Sequence, residues 1–260
     1  MSLDPGPSIA GTRLTPQDYL AATDADLEAL VDAVADHLDD PVPGCPGWSG
    51  RDLVSHVVGV YRHKTVALET AAEPPPRDDS WGALGDADPV LTLRAAYAEL
   101  REHLAGADPA AASWSWWPAE QTVGFWQRRM AQETAVHRWD AQSCAEGTEG
   151  ADEIDEAVAV DGVDELLGWL TWPWDEVPQP EASGQQVSVS TPDVSWTVTL
   201  HPTQVLVSAG AADSADAMLA GPASGLLLRL WGRPGDHGVA ELGDADALRL
   251  LAERLAMATS

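Results

Sequence analysis

The apolar residues change period part-way along this chain, and that change constrains its fold more than any other feature. Before residue 172 they recur at helical spacing. Residues 15–38 carry Tyr19, Leu20, Leu27, Leu30, Val31, Val34 and Leu38, which lie on one helix face, and Pro41 and Pro43 end that helix. Ser49 is a good N-cap with Asp52 three residues on, which predicts a second helix over 50–69. Similar spacing predicts helices over 89–104, 123–145 and 154–170. Past residue 185 the apolar residues alternate with polar ones. Val187 and Val189, Val194 to Leu200, and Val205 with Val207 predict three short strands. Residues 215–219 and 239–242 read as further strands, and 224–231 and 245–256 as helices.

Two domains follow from this pattern. Residues 14–172 are expected to form an antiparallel helical bundle, and 185–260 a small α+β domain. Residues 173–184, rich in proline, acid and small residues, read as a linker, and 1–13 as a disordered tail.

Charge narrows the function classes. There are 42 acidic and 14 basic residues, for a formal net charge of −28. Such a surface repels phosphate backbones and anionic membranes, so no nucleic-acid or membrane partner is expected. No stretch has the length and apolarity of a membrane span. Cys45 and Cys144 are the only cysteines, and nothing resembles a secretion signal. Both thiols are therefore expected free, in a reducing cytoplasm.

One constellation carries chemistry. Glu133 and His137 are four residues apart, so they project from one helix face. A carboxylate and an imidazole on adjacent turns grip a divalent ion well, and zinc accepts both. His56 lies mid-helix among apolar residues, where a bundle aims it inward as a third ligand. Two histidines and one glutamate leave a tetrahedral ion one open position, the mark of a catalytic site. Asp140, one turn past His137, reads as the carboxylate that orients its imidazole, or as a partner for Arg138. The same spacing also suits an exposed ion pair, and a lone core histidine is ordinary. His63 is a weaker ligand candidate. Trp81, Trp116 and Trp117 read as walls of an apolar substrate pocket or as plain core.

The segment from Cys45 through Pro46, Gly47, Trp48, Ser49, Gly50, Arg51, Asp52, Leu53, Val54 and Ser55 to His56 resembles a known signature. It is that of the mycothiol-dependent maleylpyruvate isomerase family, within the DinB-like metal-binding superfamily. The segment from Phe125 to Asp140, with Glu133 and His137 inside it, resembles the family's second signature, and that from Leu226 to Arg233 its closing motif. The resemblance implies a DinB-like bundle fused to a sterol-carrier-like α+β domain, with His56, Glu133 and His137 as ligands of zinc or another divalent metal. It implies mycothiol, an actinobacterial cytoplasmic thiol, as cosubstrate, and an arginine at Arg233 that holds an anion. The residue's other reading is a cap on the preceding helix. The function expected is isomerase or thiol S-transferase chemistry on a small electrophile. The alternatives are a noncatalytic metal-binding or regulatory protein, or an interaction protein whose histidines only pack.

Overall fold

A computed structural model describes residues 8–259. They divide into two compact units, one spanning 14–152 and the other 153–259 together with 8–13.

The first unit is a four-helix bundle of α1 (Pro16–Val34), α2 (Gly50–Thr70), α3 (Pro89–Gly106) and α4 (Val123–Glu146). Each start has a side-chain cap. Thr15, Ser49, Asp88 and Thr122 each accept a hydrogen bond from a backbone N–H of the first turn. Ser49 and Asp52 close the full reciprocal box expected from their spacing. α1 ends at Val34, sooner than the prolines require. The chain turns instead through His37 and Asp40, whose side chains meet at 2.7 Å. α4 packs along α1, and α2 along α3. The core between them includes Leu30, Val34, Leu53, Val57, Tyr61, Leu93, Leu100, Trp126 and Met130.

α4 is buried on nearly every face, polar residues included, among them Arg128, Arg129, Gln132, His137 and Asp140. A buried polar helix of this kind needs internal partners, because each unpaired group costs about 1–3 kcal/mol. One of these partnerships joins the helices. Tyr61 of α2 and Thr134 of α4 share a fully buried 2.7 Å hydrogen bond.

The second unit is an α+β domain. Its sheet comprises β1 (Gln185–Ser190), β2 (Ser195–Leu200), β3 (Val205–Ala209), β4 (Ala217–Ala220) and β5 (Ala240–Gly243), in the order β3-β2-β1-β4-β5. All pairs are antiparallel except β1 with β4. α5 (Glu156–Trp169) packs on α6 (Ala223–Leu230), and α7 (Ala245–Ala258) packs on β1 and β4.

Three expectations need correcting here. α5 groups with the sheet domain and does not extend the bundle to residue 172. Its buried polar residues explain why: Asp164 accepts hydrogen bonds from the Trp196 indole and from the backbone of Ile9 and Ala10. Those same bonds fix the described part of the expected tail, residues 8–13, while residues 1–7 lie outside the described residues. Residues 173–184 are no free linker either. The Trp174 and Gln179 amides donate to the carbonyls of Thr203 and Pro202, and Arg254 donates to Val177 and Pro202. Among the described residues, no helix is long and apolar enough to cross a membrane.

A connection over 71–88 returns from α2 to α3 across α2 itself. It lies so close that a Cβ on Gly82 would stand 2.4 Å from the Ser55 carbonyl oxygen and 2.7 Å from its hydroxyl. The Ser55 hydroxyl in turn donates to the Gly82 carbonyl at 2.9 Å. Gly82→Ala is therefore expected to lift this connection and destabilise the protein by about 1–3 kcal/mol, measured as a lowered denaturation midpoint. An unchanged midpoint would contradict this close contact.

Candidate metal centre

The Ser49 cap sets where α2 begins, and so which of its residues face α4. His56 is one of them. The Tyr61–Thr134 bond then fixes α2 against α4, and Thr134 is the residue after Glu133. Glu133 and His137 share the inner face of α4 at one-turn spacing.

The three side chains meet. Glu133 Oε1 lies 3.2 Å from His56 Nε2 and 3.3 Å from His137 Nε2. All three donor atoms lie within 4.8 Å of one another. Donors on a tetrahedral zinc with bonds of about 2.1 Å stand about 3.4 Å apart, so the set fits one ion. The remaining polar atoms fit too. Arg129, one turn before Glu133, donates to its Oε2 at 2.7 Å and leaves Oε1 to face the histidines. Asp140, wholly buried, holds His137 Nδ1 at 2.9 Å and leaves Nε2 to face Glu133. Outer carboxylates of this kind fix a ligand's tautomer and ring orientation. Of its two readings, Asp140 takes the orienting one, and Arg138 pairs with Asp26.

Electrostatics favour a cation at this point. Burial opposes charge on Glu133, but hydrogen bonds from His137 and His56 hold its carboxyl well below the usual range. Burial also pushes His56 down, against the raising effect of Glu133, so this ring is neutral at pH 7. For His137 burial works the same way but is outweighed by the hydrogen bonds to Asp140 and Glu133, which lift it above the ordinary 6.5. A metal bound at the triad would therefore compete with a proton for His137.

A second donor group shares this histidine: Cys45, His137 and Asp140. Cys45 Sγ donates to Asp140 Oδ2 at 3.6 Å, on the same oxygen that holds His137. Asp140 takes up His137 Nδ1 and leaves Nε2 for the triad, so in the triad's geometry this second group stands behind the imidazole. Cys45 and Cys144 are both free thiols.

The other expected residues of the first unit are not members of the triad. His63 turns to the connection, where its Nε2 meets the Pro75 carbonyl at 3.1 Å. A cavity of about 500 Å³ opens beside His56, lined by Trp48, Asp52, Ser55, Gly59, Arg77, Asp78, Asp79 and Gly82. Its aromatic wall is Trp48, whose ring stands 4.9 Å from that of His56. The three tryptophans expected to wall the pocket are not part of this lining. Trp81 sits edge-on to His63 and lines a separate cavity with Arg62 and Glu99. Trp116 packs against Trp117 and Phe125. In the second unit, Arg233 follows α6 and donates to the Trp231 carbonyl at 3.3 Å. Arg129 and Trp48 escaped notice as site residues, although Arg129 stands four residues before Glu133 and Trp48 next to the Ser49 cap.

Comparisons with known proteins bear on the family and the fold. Residues 20–142 match the sequence profile of the mycothiol maleylpyruvate isomerase N-terminal domain. The fold resembles a crystal structure of the mycothiol-dependent maleylpyruvate isomerase, with a TM-score of 0.59, 15% identity, and coverage of 88% of this chain and 93% of that one. A histidine-to-alanine mutant of that isomerase matches with a TM-score of 0.58 and 14% identity over the same shares. A ubiquinone synthesis protein, UbiJ-SCP2, matches 42% of this chain and 97% of its own at 18% identity, with a TM-score of 0.30. A search of curated proteins finds no match.

Two outcomes are expected. Asp140→Asn keeps the shape but weakens metal affinity by about 10–100-fold, read by competition with a chromophoric chelator. In the unaltered protein, affinity falls about tenfold per pH unit on acidification below the raised His137 value, as one proton competes for the ligand. Affinity independent of pH between about 6 and 8 would contradict a metal bound through His137.

Proposed function

Residues 20–142 belong to the mycothiol maleylpyruvate isomerase N-terminal domain family, and on that premise we propose that the protein is a metal-dependent enzyme using mycothiol as its nucleophile. The observation that carries this reading is the convergence of His56 Nε2, Glu133 Oε1 and His137 Nε2 beside an open cavity. Zinc is the proposed ion, because a carboxylate with two imidazoles suits it, and other divalent ions of the first transition row remain competitors. Three protein donors leave a coordination place for an exchangeable ligand, which separates this site from a closed structural one and favours catalysis over a purely regulatory role.

A metal held there supplies a Lewis acid that keeps a thiol ionised at neutral pH. The chain's own residues do the rest. Asp140 keeps the His137 ring in one orientation, and Arg129 does the same for Glu133. Trp48 and the close-packed Ser55–Gly82 contact shape the cavity beside His56. The proposed substrate is a small electrophile with a double bond conjugated to a carbonyl. The thiolate forms a carbon–sulfur bond, and the displaced π pair moves onto the carbonyl oxygen. The former double bond then rotates, and the carbon–sulfur bond breaks to return the thiolate. If the enolate carbon instead takes up the proton that the thiol released, the carbon–sulfur bond is kept and the outcome is S-transfer. The anion-holding role that the motif resemblance gives Arg233 is part of the same proposal.

The test is calorimetry with mycothiol on zinc-loaded protein beside His137→Ala. Thiol binding that needs both the metal and His137 is expected. Equal binding to metal-free protein, or none to the loaded form, would refute the proposal.

A further inference from the structure

Lys64 is the only lysine in the chain, whose other fixed cations are all arginines. It lies on α2, two turns past His56, with its ammonium 4.8 Å over the Trp126 ring. Its hydrogen-bond partner is His63 Nδ1 at 3.1 Å. His63 donates through Nε2 to the Pro75 carbonyl, and burial keeps its ring neutral by pushing its pKa to about 4. No carboxylate lies within ion-pair distance of Lys64 among the described residues. Three charges bear on it: Arg77 from the connection, and Glu133 and Arg129 from α4. Burial first, and then the two arginines, lower its pKa to about 8 against the raising effect of Glu133.

Arg77, an exposed residue of the connection, also has no carboxylate within ion-pair distance among the described residues. It lines the cavity beside His56, and its closest polar contact is His56 Nδ1 at 3.5 Å, where the guanidinium donates. Three aspartates line the same cavity, yet none pairs with it. Asp52 is engaged by the Ser49 amide and hydroxyl, and Asp78 by those of Ser80. Asp79 is exposed and within ion-pair distance of neither Arg77 nor Lys64. In a chain with three acids for every base, two neighbouring cations that lack carboxylate partners are an imbalance. Glu133 cannot correct it, because its carboxylate is already held by Arg129, His56 and His137.

We propose that Arg77 is the anion-receiving residue of the cavity beside the metal triad, and that Lys64 adds a second positive charge to the same region. The ligand class is a small carboxylate-bearing molecule. A guanidinium fork suits a carboxylate, and an arriving anion relieves the repulsion between Arg77 and Lys64. Placing that anion beside the reacting thiol rests on the function proposed above. The anion site itself does not.

The test uses the full chain carrying carbon-13 lysine, in which Lys64 gives one ε-carbon signal. The signal is titrated with pH in metal-free and in zinc-loaded protein, with and without succinate. Succinate is expected to raise the Lys64 midpoint by about one pH unit, saturably, while neutral succinamide and potassium chloride at equal ionic strength do not. Arg77→Ala is expected to weaken succinate about tenfold or more, with Arg77→Lys in between; the same spectrum reports that each variant is folded. Two results would overturn the proposal: a Lys64 response to succinate no larger than that to potassium chloride, or equal succinate affinity in Arg77→Ala. Neither metal nor thiol is needed, so a failure here is separate from a failure of the triad to take up metal.

Discussion

The structure of the first unit is organised around one largely buried carboxylate. Glu133 sits inside a helical bundle, where an isolated anion is costly enough that it would ordinarily be protonated. It stays ionised because Arg129 holds one oxygen while His56 and His137 face the other. Each of these partners carries its own requirement. Arg129 must be buried on the same helix, His137 must be turned by Asp140, and His56 must be presented by a different helix. Removing any one partner leaves charge or polarity unmatched, and breaking a buried pair of this kind costs about 3–5 kcal/mol. A divalent cation relieves that demand most fully, because it replaces a proton and two hydrogen bonds with one central charge.

That requirement explains features of the bundle remote from the donors. The capping box at Ser49 and Asp52 fixes where α2 starts, and the Tyr61–Thr134 hydrogen bond fixes how α2 lies against α4. Polar residues along α4 pair inside the bundle, Arg129 with Glu133, His137 with Asp140 and Thr134 with Tyr61. The Ser55–Gly82 contact then pins the 71–88 connection over α2, so that a cavity forms beside His56. Cap, helix register and glycine contact together convert a charge problem into an accessible site.

Much of this was legible in the residues themselves. The switch in apolar period marks the helical and mixed parts, and the four-residue spacing of Glu133 and His137 places both on one face. The expected triad does meet in space. Less legible were features that depend on partners distant in sequence. α5 has the spacing of any bundle helix, and its packing on α6 and the Asp164–Trp196 bond are what place it with the sheet. The proline-rich stretch over 173–184 has the composition of a linker, yet Arg254, seventy-seven residues from Val177, ties it down. Composition also misled on the aromatic wall. Trp81, Trp116 and Trp117 read as pocket walls or plain core, whereas the ring that stands beside His56 is Trp48, placed there by the turn before α2. The single lysine was visible from the start, but its meaning depends on neighbours that only the fold supplies.

The central claim is that His56, Glu133 and His137 hold one divalent ion with a place left for a thiol. X-ray absorption at the zinc edge tests it most directly, on protein loaded with one equivalent of zinc before and after mycothiol is added. The account predicts two imidazoles and light-atom donors at about 2.0–2.1 Å, without sulfur, and one sulfur at about 2.3 Å once the thiol is present. Sulfur in the first spectrum would place Cys45 in the coordination sphere, and imidazole scattering unchanged in His56→Ala with His137→Ala would put the metal elsewhere. Either result would contradict the account.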